Sequence, residues 1–201
     1  MTKPAARARA RIACVLLAAG GSSRLGRPKQ LVRRRSQPLL LYALAAARGA
    51  VADEDIVVVL GAEALRLRAL LRRAAPRVRV APNPHWAAGL ASSLRAGLAA
   101  APRAAAAALV LLTDQPDVDR AALRRLVAAW RRRPNLPAAA YYSGRAGVPA
   151  ILPRRSWQLL RALDGDAGAR ALLRGSETVT LVAMPEAELD VDTPADLARL
   201  R

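Results

Sequence analysis

The residues of this chain best suited to chemistry gather in three stretches. The first is Gly20-Gly21-Ser22-Ser23-Arg24-Leu25-Gly26-Arg27-Pro28-Lys29, small residues followed by cations. Glycine lets a backbone approach a ligand closely, serine hydroxyls donate hydrogen bonds, and Arg24 and Lys29 add positive charge. Together with backbone N–H groups, these suit a phosphate. The second stretch is Thr113-Asp114-Gln115-Pro116 and the third Asp190-Val191-Asp192-Thr193-Pro194. A carboxylate beside a phosphate-binding loop suits Mg²⁺, which takes oxygen ligands and usually needs only one or two protein carboxylates, with water and substrate phosphates completing its shell. Ordinary capping accounts for an aspartate ahead of proline or Thr-Pro as well, so the choice between Asp190 and Asp192 stays open at this point.

Two common glycine-loop signatures are absent. Gly21 and Gly26 have the P-loop spacing, but Arg27 stands where that loop has lysine, and no G-x-G-x-x-G occurs. His85 is the only histidine, which excludes a multi-histidine metal site, and no G-x-S-x-G elbow accompanies it. Trp86, Gly89, Ser92 and Ser93 fall at a predicted helix start, where free N–H groups and hydroxyls could hold a nucleotide. Capping and packing explain the two serines equally well.

These groups need elements to position them. Ile12–Ala19 is a continuous apolar run that reads as a buried strand, with Cys14 inside it as a small core residue. Arg33–Pro38 reads as a polar turn, with Pro38 in the first turn of a helix running to about Arg48. A second strand, Ile56–Leu60, precedes a helix carrying Leu65, Leu67, Leu70 and Leu71, and Val78–Val80 makes a short third strand. A helix opens in Asn83–Leu94 and runs to about Ala101. The strand Ala107–Leu112 leads into Asp114, and Asp119 is placed to cap a helix to Arg132. Ala138–Tyr142 and Val148–Leu152 are expected to form an antiparallel pair at the sheet edge. Short helices are expected over 154–163 and 167–173, a strand over 178–183, and a terminal helix capped by Thr193 with Pro194 at its first position. This alternation of apolar strands and helices predicts an α/β fold with a parallel sheet covered on both faces. In such sheets ligands bind at the carboxyl ends of the strands, where all three stretches fall.

The chain has 201 residues, 53% of them hydrophobic, with no Phe and a single cysteine. That predicts one domain over 12–201 behind a basic disordered arm, 1–11, and excludes both an intrachain disulfide and a cysteine-rich metal site. The apolar runs are too short to span a bilayer, so the expectation is a cytoplasmic protein with no membrane partner. The net charge of +18 favours anionic ligands. Dispersed arginines and scarce aromatics argue against a specific nucleic-acid partner. Lys3 and Lys29 are the only lysines. A compact ammonium at a phosphate site is a reason to keep the second.

Taken together, these segments resemble the MobA-like nucleotidyltransferases, most closely the molybdenum cofactor cytidylyltransferase (MocA-like) branch. The resembling residues run in family order: Leu17 to Leu31; Asn83-Pro84-His85-Trp86 with Gly89, Ser92 and Ser93; Thr113 to Pro116; Gly144 with Gly147-Val148-Pro149; Gly165 to Arg170; and Asp190 to Pro194 with Asp196-Leu197. The resemblance implies a Rossmann-like three-layer sandwich with a mostly parallel mixed sheet. It implies Mg²⁺-dependent transfer of CMP from CTP to the terminal phosphate of a molybdopterin-type molybdenum cofactor, with release of pyrophosphate. Under it, Ala18, Ala19, Gly20, Gly21, Ser22, Ser23, Arg24, Lys29, Asn83, Gly89, Ser92 and Ser93 hold the nucleotide. Arg24, Lys29 and Asp114 are catalytic, and Asp114 and Asp192 hold the metal. Transient contact with a molybdenum-dependent apoenzyme also follows from it. Its alternatives are a relative using GTP or another phosphorylated acceptor, and a non-catalytic protein that delivers the cofactor. One departure stands out: the family usually has glycine before the proline that opens the first helix, whereas Arg33-Arg34-Arg35-Ser36-Gln37 fills that turn here.

Overall fold

The computed structural model describes residues 10–161, 173 and 179–200. Its main sheet has seven strands. These are β1 (Ile12–Ala18), β4 (Ile56–Leu60), β5 (Arg79–Pro82), β6 (Ala107–Leu112), β7 (Ala138–Tyr142), β8 (Arg145–Pro153) and β9 (Thr180–Ala183). Two further short strands, β2 (Arg33–Arg34) and β3 (Gln37–Pro38), form a separate hairpin. The order across the main sheet is β5-β4-β1-β6-β8-β7-β9. Only β8 runs opposite to its neighbours, so the sheet is mixed but mostly parallel.

The α-helices among the described residues are α1 (Leu39–Ala47), α2 (Ala64–Ala74), α3 (Leu90–Ala100), α4 (Arg120–Arg132) and α5 (Trp157–Arg161). The period-two alternation of β1 sorts them into two outer layers. Cys14, Leu16 and Ala18 face Leu40, Leu44, Leu67, Leu71, Leu123 and Trp130 of α1, α2 and α4. Ala13, Val15 and Leu17 face Leu94 and Leu98 of α3, with Trp157 of α5 in the same cluster. Both faces of β1 are buried, which is why its sequence is continuously apolar rather than alternating. The expected Rossmann-like three-layer sandwich is present, and Cys14 is a buried free thiol within it.

Several local expectations are corrected. The β7–β8 pair is antiparallel but does not lie at the edge: β8 sits between β6 and β7, and β9 adds beyond β7 in parallel. The polar turn is the hairpin β2–β3, with Arg35 at φ +43° and Ser36 at φ +67°, and Pro38 ends β3 just before α1. Trp86–Ala88 forms its own 3₁₀ turn, and α3 starts only at Leu90, because Gly89 at φ +96° breaks the helical path. The terminal helix is a 3₁₀ helix, Pro194–Arg199, with the Asp196 carboxylate accepting from the Thr193 N–H and hydroxyl. Asp119 caps α4 as expected, accepting from the Ala122 N–H at 2.7 Å. The helix expected over 167–173 and the motif Gly165 to Arg170 lie outside the described residues, Leu173 excepted.

Candidate functional site

The glycine stretch leaves the carboxyl end of β1 and folds back on itself. Ser22, at φ +54°, accepts the N–H groups of Leu25 and Gly26 on its carbonyl and that of Lys29 on its hydroxyl. Leu25 is the loop's anchor: it is buried with Val32, Leu39 and Val191 in a small apolar cluster. Gln30 is the second anchor. Its amide is almost fully buried and donates to the carbonyls of Ala18, at 3.1 Å, and Gly20, at 2.9 Å. The chain therefore turns through Lys29 with its side chain directed across the strand ends.

There it meets both carboxylate stretches. Lys29 Nζ donates to Asp114 Oδ2 at 2.5 Å and to Asp192 Oδ1 at 2.8 Å. Arg24 donates to the other oxygen of Asp192 at 2.9 Å. The two carboxylate segments are joined directly, because the Val191 N–H donates to the Asp114 carbonyl at 2.9 Å. Gln115 ties the same segments to the sheet, donating to the carbonyls of Val148 and Ala187. Burial pushes the Lys29 pKa down, but the two carboxylates outweigh it and hold the ammonium above its ordinary value. Burial likewise pushes Asp192 up, yet Lys29 and Arg24 bring it below the usual carboxylate range.

A cavity of about 540 Å³ opens over this cluster. Of the expected residues, Ala19, Gly20, Gly21, Ser23, Arg24, Lys29, Gly89, Ser93, Asp114 and Asp192 line it. Ala18, Ser22, Asn83 and Ser92 stand behind the lining. Asn83 donates to the hydroxyls of Ser92 and Ser93 and accepts from the His85 N–H, which fixes the turn carrying Trp86 and Gly89. Asp190 lines the cavity as well. Trp86 forms a further wall because Gly21 and Gly61 leave room for it: a Cβ on Gly61 would lie 2.5 Å from the Ala19 carbonyl and 2.6 Å from Trp86 Cβ. Leu17, Leu90, Leu112, Tyr142 and Val148 supply apolar surface.

Sequence reasoning gave no role to Gln30, Gln115, Tyr142 or Val148. Gln30 had one visible signal, a polar residue set between Lys29 and an apolar run. Nothing in the sequence marks Tyr142, whose hydroxyl passes over Gly147, where a Cβ would lie 2.6 Å from it, and accepts from Gln115.

Among the described residues no group of three or more His, Cys, Asp and Glu side chains could hold a metal. The donor set is thus a pair of carboxylates, which fits a hard cation that completes its shell with water and phosphate. Among the described residues Asp114 Oδ1 is buried without a hydrogen-bond partner, so this carboxylate keeps acceptor capacity that such an ion would use.

Loop, cations and paired carboxylates thus stand together at the carboxyl ends of parallel strands in a Rossmann-like fold, where such sheets take their ligands. The chain belongs to the MobA-like NTP transferase domain family, whose model matches residues 14–181. It is 35% identical over 199 residues to nicotine blue oxidoreductase of Paenarthrobacter nicotinovorans, covering 92% of this chain and 94% of that one. The crystal structure of Rv0371c from Mycobacterium tuberculosis H37Rv matches at 34% identity with a TM-score of 0.78, over 94% of this chain and 97% of that one. A complex of Rv0371C with manganese, from the same organism, matches at 31% identity with a TM-score of 0.76, over 96% and 98%. The expected family and fold class therefore hold, and the chain is an enzyme of the nucleotidyltransferase type. Among the described residues no helix is long and apolar enough to cross a membrane.

Proposed function

We propose that the protein is a cytoplasmic, Mg²⁺-dependent cytidylyltransferase that passes CMP from CTP to the terminal phosphate of a molybdopterin-type molybdenum cofactor. The observation that carries nucleotidyl transfer is the convergence of Lys29, Arg24, Asp114 and Asp192 on one cavity wall beside the glycine loop. CTP and the molybdenum acceptor rest on the resemblance of the motif set, and the manganese complex of a relative supports a divalent ion.

In the reaction an acceptor phosphate oxygen attacks the α-phosphorus, and the bond to the β-phosphate oxygen breaks, so pyrophosphate leaves. No covalent protein nucleophile is needed, and positioning with charge neutralisation supplies the catalysis. The glycine loop receives the triphosphate on its N–H groups and the Ser23 hydroxyl. Arg24 and Lys29 neutralise its charge. Asp114 and Asp192 would hold the divalent ion, which when bound supplies further charge neutralisation on the transferring and departing phosphates. Trp86 and the apolar wall exclude water from one side of the cavity.

The test is pyrophosphate release from the protein with Mg²⁺, molybdenum cofactor and either CTP or GTP. Release with CTP well above that with GTP is expected. Equal or greater release with GTP overturns the cytidine assignment, and none with either nucleotide overturns transfer to this acceptor. The name of the Paenarthrobacter relative favours a second reading, redox turnover of nicotine blue in the same cavity. Bleaching of that pigment by this protein with a reductant, in the absence of nucleotidyl transfer, would establish it.

A further inference from the structure

Lys29 pairs with both of the carboxylates that a divalent ion needs. Its ammonium lies 2.5 Å from Asp114 Oδ2 and 2.8 Å from Asp192 Oδ1. An ion held by the same two carboxylates, with oxygen ligands at about 2.1 Å, would stand at close range to that nitrogen. Two cations that draw on one pair of carboxylates repel each other, and the repulsion grows as the site dries. The carboxylates have little freedom to turn away from the contest. Arg24 holds the second oxygen of Asp192, and Asp114 is 8% exposed and tied through its backbone to Val191. The ammonium borders the same cavity beside Ser23 and Arg24, so an anion bound there can compete for it.

We infer that Lys29 is an internal counter-ion that competes with the divalent cation for Asp114 and Asp192, and that a triphosphate relieves the competition by drawing the ammonium onto its own oxygens. Metal and nucleotide then enter as a coupled pair, each tightening the other by the same factor. Metal alone finds a site already neutralised, so the protein resists idle loading with divalent ions. The triphosphate half rests on the nucleotidyl-transfer reading, whereas the competition itself does not.

The experiment measures Mn²⁺ binding by the spin-resonance signal of the free ion and by calorimetry, on the full chain. Lys29→Met, with a native circular-dichroism spectrum, should bind Mn²⁺ alone about tenfold or more tighter than wild type. Lys29→Arg keeps the charge and should bind it as weakly as wild type. Adding Asp114→Asn to Lys29→Met should abolish the gain, which locates the ion. Adding CTP should tighten Mn²⁺ binding to wild type by about tenfold, and to Lys29→Met far less. Lys29→Met binding Mn²⁺ no tighter than wild type overturns the inference, and Lys29→Gln gives the same comparison should the methionine variant not fold. A wild type that binds no CTP overturns the nucleotidyl-transfer reading, while the metal-only comparison still decides the competition.

Discussion

At the scale of the residue, the site depends on a few buried groups that touch no ligand. Gln30 is one: it holds two carbonyls of the loop across 12 and 10 residues of chain. Gln30→Ala removes the donor from the buried Ala18 carbonyl and from the more exposed Gly20 carbonyl, and the first loss costs about 1–3 kcal/mol. The expected outcome is a lower thermal midpoint and a raised KM for nucleotide with a smaller change in kcat, read by melting curves and initial rates. Gly61 is another. Gly61→Ala would drive a methyl into the Ala19 carbonyl and Trp86, both near 2.5 Å, so the β1 loop must shift. We expect a loss of at least about 1 kcal/mol and weaker nucleotide binding, checked by denaturant unfolding and calorimetry. The sequence reveals such residues unevenly. Arg24, Lys29 and Asp114 are legible because charge beside small residues at a strand end has few other uses. The role of Gln30 is a distance, and composition holds no distances. Asn83 and Ser92 show the converse: their polar atoms are spent on each other and on nearby backbone, so a polar motif at a helix start built the wall rather than its surface.

At the scale of the element, the strands were the most legible part of the chain. A strand buried on both faces must be apolar throughout, and β1, β4 and β6 obey that rule. Their order was not legible, because nothing in β8 says that it inserts antiparallel between β6 and β7. Helix packing adds a constraint the pattern hides. Gly97 lies where a Cβ would come within 2.3 Å of Val15 Cγ1 and 2.9 Å of Val59 Cγ2, so at this point the backbone of α3 rests directly on the valine side chains of β1 and β4. Gly97→Val should cost about 1–3 kcal/mol by overpacking and lower the thermal midpoint. The hairpin β2–β3 offers the opposite change. Arg35 and Ser36 both sit at positive φ, a geometry that favours Asn-Gly and that non-glycine residues adopt at a cost. Here the family's missing glycine becomes physical: Arg35→Asn with Ser36→Gly should raise the midpoint by a few degrees, about 0.5–1 kcal/mol, without altering nucleotide affinity.

At the scale of the whole molecule, charge sets how the protein responds to its medium. The chain carries 33 Lys and Arg against 15 Asp and Glu. Self-repulsion at that imbalance weakens the compact state, and the same field draws anions towards the cavity. Salt screens both, with opposite consequences. Raising NaCl from about 20 to 500 mM at pH 7 should raise the thermal midpoint, while the association rate for a nucleoside triphosphate falls steeply and its dissociation rate changes less. Acid should widen the first effect. Asp53 is held below its ordinary value of 3.8 by hydrogen bonds from Arg48. A lowered folded-state pKa contributes stability that is present above 3.8 and lost as the pH falls through the folded value. As the carboxylates protonate, their partners are released and the cations stand uncompensated. Melting curves at pH 7 and pH 3, each at low and high salt, should therefore show a lower midpoint in acid and a larger gain from salt there than at neutrality. A midpoint that salt lowers at both pH values would mean that the attractive pairs, Lys29 with its two carboxylates foremost among them, outweigh the repulsion that the net charge implies.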